Sequence, residues 1–196
     1  GHKYMTDFEM DVSPRRVYRV GGMVLSTEQM LVETEEQLLI KVTLEQAHSP
    51  TKIRFKPFLA FRSIHELTHQ NMVANTRYET IDKGIKIQMY EGFPHLHLQV
   101  SNENEFIAVP DWYRGIEYIK EQQRGYPYTE DLFVPGYFEL DIKKGDSIIF
   151  SASTSEVKPN GLKAKFTRES NKRIPRDTLL NNLLNSAQQF IQRKGD

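Results

Sequence analysis

Short runs of alternating apolar and polar residues, each closed by a turn-forming cluster, fill the first three quarters of this chain. Ile85, Ile87 and Met89 alternate with Lys86 and Gln88. Leu96, Leu98 and Val100 alternate with His95, His97 and Gln99. Phe138, Leu140 and Ile142 alternate with Glu139 and Asp141, and Ile148, Phe150 and Ala152 follow. In a further run Ile53, Phe55, Leu59 and Phe61 share one face, while Arg54, Lys56 and Arg62 take the other. A period of two belongs to a strand with one face on a core and the other in water. Gly21-Gly22, His48-Ser49-Pro50, Asp82-Lys83-Gly84, Asn102-Glu103-Asn104 and Lys143-Lys144-Gly145-Asp146 supply the turns between runs. This spacing predicts about ten to twelve short antiparallel strands in a β-sandwich.

The pattern changes after Glu156. Lys158-Pro159-Asn160-Gly161 breaks it, and seven basic residues against one acidic residue follow between Lys158 and Arg176. Leu162 and Phe166 suggest a short helix before Pro175. Asp177 is a candidate cap for a last helix with Leu180, Leu183, Leu184, Ala187 and Ile191 as its apolar stripe. Asn181, Asn185, Gln188 and Gln192 lie on its polar side, and Gly195 would stop it. The division expected is a sandwich over 1–156 and a basic connector with an amphipathic helix over 157–196. The basic stretch has no interleaved aromatics, so it reads as a solvated connector rather than a phosphate-binding surface.

At 196 residues the length suits one domain with a real core. Lys+Arg and Asp+Glu both total 26, so no overall field favours nucleic acid or a membrane. Absence of cysteine excludes disulfides, thiolate zinc sites and a cysteine nucleophile, and fits a reducing, cytoplasmic setting. No run approaches the roughly 18 apolar residues of a membrane helix, and no signal-peptide core follows Gly1-His2-Lys3-Tyr4.

His65-Glu66-Leu67-Thr68-His69 fits the HExxH pattern of zinc peptidases. On a helix its imidazoles would face one metal and its glutamate would activate the bound water. Here the letters follow directly on an alternating strand, and Glu91, at the right distance for a third ligand, sits in Tyr90-Glu91-Gly92-Phe93-Pro94, a turn. No metal or other cofactor is expected. His95 and His97 share a strand face without an evident third ligand.

The stretch from Asp111 to Phe138 follows neither period cleanly. It contains the only tryptophan and eight of the 21 aromatic residues, interleaved with charged groups. Such a surface stacks on a sugar ring or seats a partner domain. The same stretch would also suit a long strand and loop laid over the core.

These residues bear a family resemblance. Lys56-Pro57-Phe58-Leu59-Ala60-Phe61-Arg62-Ser63-Ile64-His65 resembles the N-terminal domain of bacterial and archaeal glycogen debranching enzymes. So does the block Trp112-Tyr113, Tyr118, Glu121, Arg124-Gly125, Glu130-Asp131, Pro135-Gly136 and Phe138. Tyr18-Arg19-Val20-Gly21-Gly22 and Ser186-Ala187-Gln188-Gln189-Phe190 also look like family positions. The resemblance implies an antiparallel β-supersandwich of the galactose-mutarotase-like type, followed by a helical linker to an (α/α) barrel that hydrolyses α-1,6 branch linkages. It implies that the family's first strands precede Gly1 and that the barrel follows Asp196. The two carboxyl groups of glycoside hydrolysis are then expected in the barrel. No catalytic residue is assigned, and Glu121, Glu130 and Asp131 are read as structural or interface carboxylates. The expected role is a non-catalytic domain that positions the barrel of the same polypeptide and touches α-glucan. The competing roles are an independent carbohydrate-binding module and a zinc metallopeptidase. Candidate binding or interface residues are Arg62, His65, His69, Asn71, Trp112, Tyr113, Arg114, Glu121 and Arg124. Arg62, His65, His69 and Asn71 should share one rim of the sandwich with part of the 111–136 segment.

Overall fold

The computed structural model describes residues 2–188 together with Phe190 and Ile191. A 3₁₀ turn leads into strands β1 (Met5–Met10), β2 (Pro14–Val20), β3 (Met23–Leu31), β4 (Gln37–Gln46), β5 (Thr51–Phe55), β6 (Tyr78–Ile81), β7 (Gly84–Ile87) and β8 (Leu96–Val100). After these come β9 (Glu105–Glu117), helix α1 (Ile119–Gln123), β10 (Thr129–Ile142), β11 (Ser147–Ser153), α2 (Leu162–Asn171) and α3 (Leu179–Gln188). All strand pairs are antiparallel. An eight-stranded sheet runs β1-β2-β3-β4-β11-β8-β7-β6, and a three-stranded sheet runs β5-β10-β9. The fold is an antiparallel β-sandwich, as the alternation requires, and each of the five anticipated turn clusters joins consecutive strands. Gly21 and Gly22 both have positive φ (55° and 80°), which a two-residue hairpin between Val20 and Met23 demands.

The core lies between the sheets. Ile85, Leu98 and Phe150 from the large sheet meet Phe133, Phe138 and Leu140 from the small one. Apolar residues out of phase with this face have a second destination. Met30, Leu39 and Ile149 point to the other side of the large sheet, where Leu162 and Phe166 of α2 cover them. The central strands β4 and β11 are therefore buried on both faces, and their sequences lose strict alternation.

Two expectations change here. The run Ile53–Phe61 is not one strand. Pairing with β10 stops at Phe55, just before Pro57, which lacks an N–H, and resumes only as a single bridge between Leu59 and Phe133. The basic stretch is not a free connector. Lys165 pairs with Glu35 at 2.6 Å, Lys172 with the buried Glu169 at 2.6 Å, and Arg173 donates to the carbonyls of Val12 and Leu31.

The last helix forms over Leu179–Gln188, short of Ile191 in the expected stripe, and with a different cap and orientation. Thr178 Oγ1, not Asp177, accepts the Asn181 N–H at 3.1 Å, and Asp177 bonds the Asn181 side chain instead. Asn182 and Asn185 donate to the carbonyls of Arg176 and Ile174, in the segment that leads into the helix. The stripe faces outward, with Leu180, Leu183 and Leu184 exposed. It does not pack on its own sandwich. The Gln189 part of the 186–190 match and the expectations for Gln192 and Gly195 fall outside the described residues. No helix among the described residues is long and apolar enough to cross a membrane.

Candidate functional site

The segment 56–75 leaves the small sheet after Phe55 and runs along its rim without regular structure. Two adjacent residues of β10 hold it. Successive side chains of a strand point to opposite faces, so Glu130 turns inward and is fully buried, while Asp131 stays near the surface. Glu130 Oε1 accepts from Arg62 Nε and, at 3.1 Å, from the Thr68 N–H. Its Oε2 accepts from Arg62 Nη2 at 3.1 Å and the Tyr118 hydroxyl at 2.6 Å. Asp131 accepts backbone N–H groups from Gln70 and Gly115, each at 2.9 Å, and its own N–H donates to the Thr68 carbonyl.

Burial pushes the Glu130 carboxyl up, but the bonds from Arg62, Tyr118 and Thr68 outweigh it and hold the group below the ordinary carboxylate range. The backbone N–H groups of Gln70 and Gly115 depress Asp131 in the same direction. The bond to Glu130 raises the Tyr118 phenol. Neither carboxyl is suited to hold a proton near neutrality, which the general acid of glycoside hydrolysis must do.

The anticipated site residues divide. Arg62 anchors the loop through Glu130. His69 Nδ1 lies 3.7 Å from Asp131. Arg114 Nε donates to Gln70 Oε1 at 2.5 Å, tying β9 to the same loop. Asn71 closes an Asx turn by accepting from Val73 and Ala74, and donates to the Tyr90 hydroxyl at 2.8 Å. These four residues belong to one cluster on one side of the sandwich. His65 lies on the exposed outer bend of the loop. Glu121 and Arg124 pair with each other at 3.1 Å on the exposed α1, and among the described residues neither bonds to the 62–71 loop.

Trp112 requires a correction. It is 8% exposed, packs in the core, and stands 5.5 Å from the Phe133 ring. Its face is not open to a sugar. Strand alternation turns its neighbour outward instead. Tyr113 is 37% exposed, edge-on to Phe58 at 4.7 Å, and accepts from Lys56 Nζ at 2.6 Å. Lys56, Phe58 and Gln70 were not foreseen as site residues, because nothing local in the sequence marks a loop residue that a distant strand will capture. Glu130 and Asp131 did carry a signal: an acidic pair opening the apolar strand Leu132-Phe133-Val134 needs partners to be tolerated there.

His65-Glu66-Leu67-Thr68-His69 is not helical. Its backbone is spent on β10 through Thr68, so the histidines are not set one helical turn apart as a zinc peptidase needs. Among the described residues no group of three or more histidine or acidic side chains converges on a metal-sized space.

The family model described as "Glycogen debranching enzyme N terminal" matches residues 1–149. No curated protein matches the chain.

Proposed function

Because the chain belongs to the glycogen debranching enzyme N-terminal family, we propose that it positions a catalytic (α/α) barrel carried on the same polypeptide and supplies no catalytic group itself. The observation that carries this reading is the orientation of α3. Its asparagines bond to the segment that leads into it and to its own backbone, while its leucines stay exposed, so the apolar stripe that a helix normally buries in its own fold is left unused. An exposed apolar stripe that follows the sandwich and α2 is a seat for a neighbouring domain. The cluster of Arg62, His69, Asn71 and Arg114, with Tyr113 beside it, is the second contact surface, facing the barrel or its glucan. Arginine and tyrosine are enriched where binding energy concentrates. The cysteine-free composition suits a cytoplasmic enzyme of carbohydrate metabolism.

The purified chain, incubated with a branched limit dextrin, should release no glucose above a blank. Release abolished by replacing one carboxylate of this chain would overturn the reading. Titration with maltoheptaose separates it from an independent carbohydrate-binding module: a module binds the glucan without its barrel, whereas a positioning domain does not.

A further inference from the structure

We propose that the open end of the sandwich is a binding site for an amphiphilic carboxylate of the fatty-acid class. The inference does not rest on the reading above. Where β5 gives way to the rim segment after Phe55, that segment and the large sheet enclose a cleft of about 530 Å³. That volume lies within the range of small-molecule sites, roughly 300–1,000 Å³. Its floor is the inner face of the large sheet, with Ile40, Leu98 and Phe150. Phe55, Phe58 and Phe61 form the opposite wall, and Phe93 and Leu96 close one side.

The lining suits a hydrocarbon body and not a sugar. A sugar ring can lay a C–H face on an aromatic ring, but the hydroxyls around its edge must be hydrogen-bonded. Here, among the described residues, the polar side chains are Lys56, Arg62, His95 and Thr154. These few sites leave most of the surface able only to exclude water from an apolar chain.

The same lining selects the charge of the other end. Among the described residues no aspartate or glutamate lines the cleft, and its titratable groups are Lys56, Arg62 and His95. Glu130 already neutralises Arg62. Lys56 has no carboxylate partner among the described residues; its Nζ meets the Tyr113 hydroxyl at 2.6 Å and lies 4.5 Å from the centre of the same ring. An anionic head beside Lys56 would complete the charge balance while its chain enters between the phenylalanines.

Calorimetric titration of the purified chain with octanoate, decanoate and dodecanoate, each below its micelle concentration, tests this. One-to-one binding is expected, tightening about fourfold for each added methylene until the cleft is full. Decanoate should bind more tightly than decanol, and Lys56→Gln should remove that preference. Ala60→Trp, at an exposed cleft residue, should block binding from the rim. Ala152→Phe should block it from the opposite sheet, so a folding defect in one variant leaves the other as the test. Leu183→Asp on α3 should leave binding intact. Absence of saturable binding overturns the proposal. So does binding that survives both filled variants, or that disappears with Leu183→Asp. Equal affinity for decanoate and decanol overturns the assignment of an anionic ligand.

Discussion

Arg62 and Glu130, 68 residues apart in the chain, meet as a two-pronged ion pair whose carboxylate is fully buried and whose guanidinium is 20% exposed. The pair fastens an irregular loop to the middle of the small sheet. Removing one partner strands a charge without water. Arg62→Ala should therefore destabilise the domain by roughly 3–5 kcal/mol, whereas an Arg62→Leu, Glu130→Leu double variant should recover a large part of that loss. Urea unfolding of the three proteins measures both effects. A loss below about 1 kcal/mol for Arg62→Ala, the range of an exposed pair, would mean that the loop is held by other contacts.

The same carboxylate sets an acid limit. Folded Glu130 lies below its ordinary value because the Arg62, Tyr118 and Thr68 bonds overcome the opposing effect of burial. The unfolded chain then binds the proton at the higher pH. Stability from this group is complete above the ordinary glutamate value, about 4.3. It is lost as pH falls through the lower folded value. Asp131, depressed by the Gln70 and Gly115 N–H groups, acts in the same sense. Melting temperature should fall as pH drops through the carboxylate range, and Glu130→Gln should flatten that decline. An unchanged slope in the variant would show that other carboxylates control the acid limit.

Sandwich architecture was legible because one-sided burial writes itself into a strand as period two. Strands such as β8, and the turns that bound them, needed no tertiary information. The run through Leu59 and Phe61 misled because the pattern records which residues seek the core, not whether their backbone pairs. Leu59 is buried beside Phe133 with only an isolated bridge. Helix α3 was legible as an amphipathic element, but its direction was not. A stripe of leucines states that something must cover it and leaves open whether that is its own sheet. The site was half legible for a related reason. Arg62 and Arg114 stood out as residue types, while Gln70 and Lys56 acquire their roles only through residues 44 and 57 positions away.

Trp112 and Tyr113 adjoin in sequence and should behave oppositely. Trp112 fills the core against Phe133, so Trp112→Ala should cost about 3–5 kcal/mol. Tyr113 lies on the surface beside Phe58 and Lys56, and Tyr113→Ala should cost less than about 1 kcal/mol. Thermal unfolding of both variants gives the ordering. In a polypeptide that carries the barrel, docking or glucan affinity should be lowered by Tyr113→Ala. Equal destabilisation by the two changes would remove Tyr113 from the contact surface.

Gly136 sits at an irregularity in the β9–β10 register with φ of 150°, and a Cβ there would lie 2.1 Å from the Ile107 carbonyl oxygen. No rotamer relieves a clash with backbone, so Gly136→Ala must open the long ribbon that carries Glu130. Gly125, with φ of 78° and open space around it, is the control. Gly125→Ala should cost only the left-handed strain of about 1–2 kcal/mol, and Gly136→Ala distinctly more. Chemical denaturation of the pair decides. A Gly136→Ala protein as stable as Gly125→Ala would mean that the two strands part there without penalty.

Leu184 gives the sharpest test of domain positioning because it is exposed in the isolated chain. Burying a leucine is worth roughly 1.5–3 kcal/mol, but here that gain is unrealised: Leu180, Leu183 and Leu184 are 65%, 59% and 43% exposed. Leu184→Asp should therefore leave the melting temperature of the isolated chain unchanged, within about 0.5 kcal/mol. In a polypeptide that continues into a barrel, the same change buries a carboxylate in the docking surface. It should then lower both the stability of the sandwich–barrel pair and debranching activity. Calorimetry on the short and long proteins, with size-exclusion chromatography of the short one, separates the alternatives. Destabilisation of the short chain would mean that α3 packs on its own sandwich in solution. Dissociation of a dimer would make a second copy the occupant. An effect confined to the long protein is what barrel docking requires.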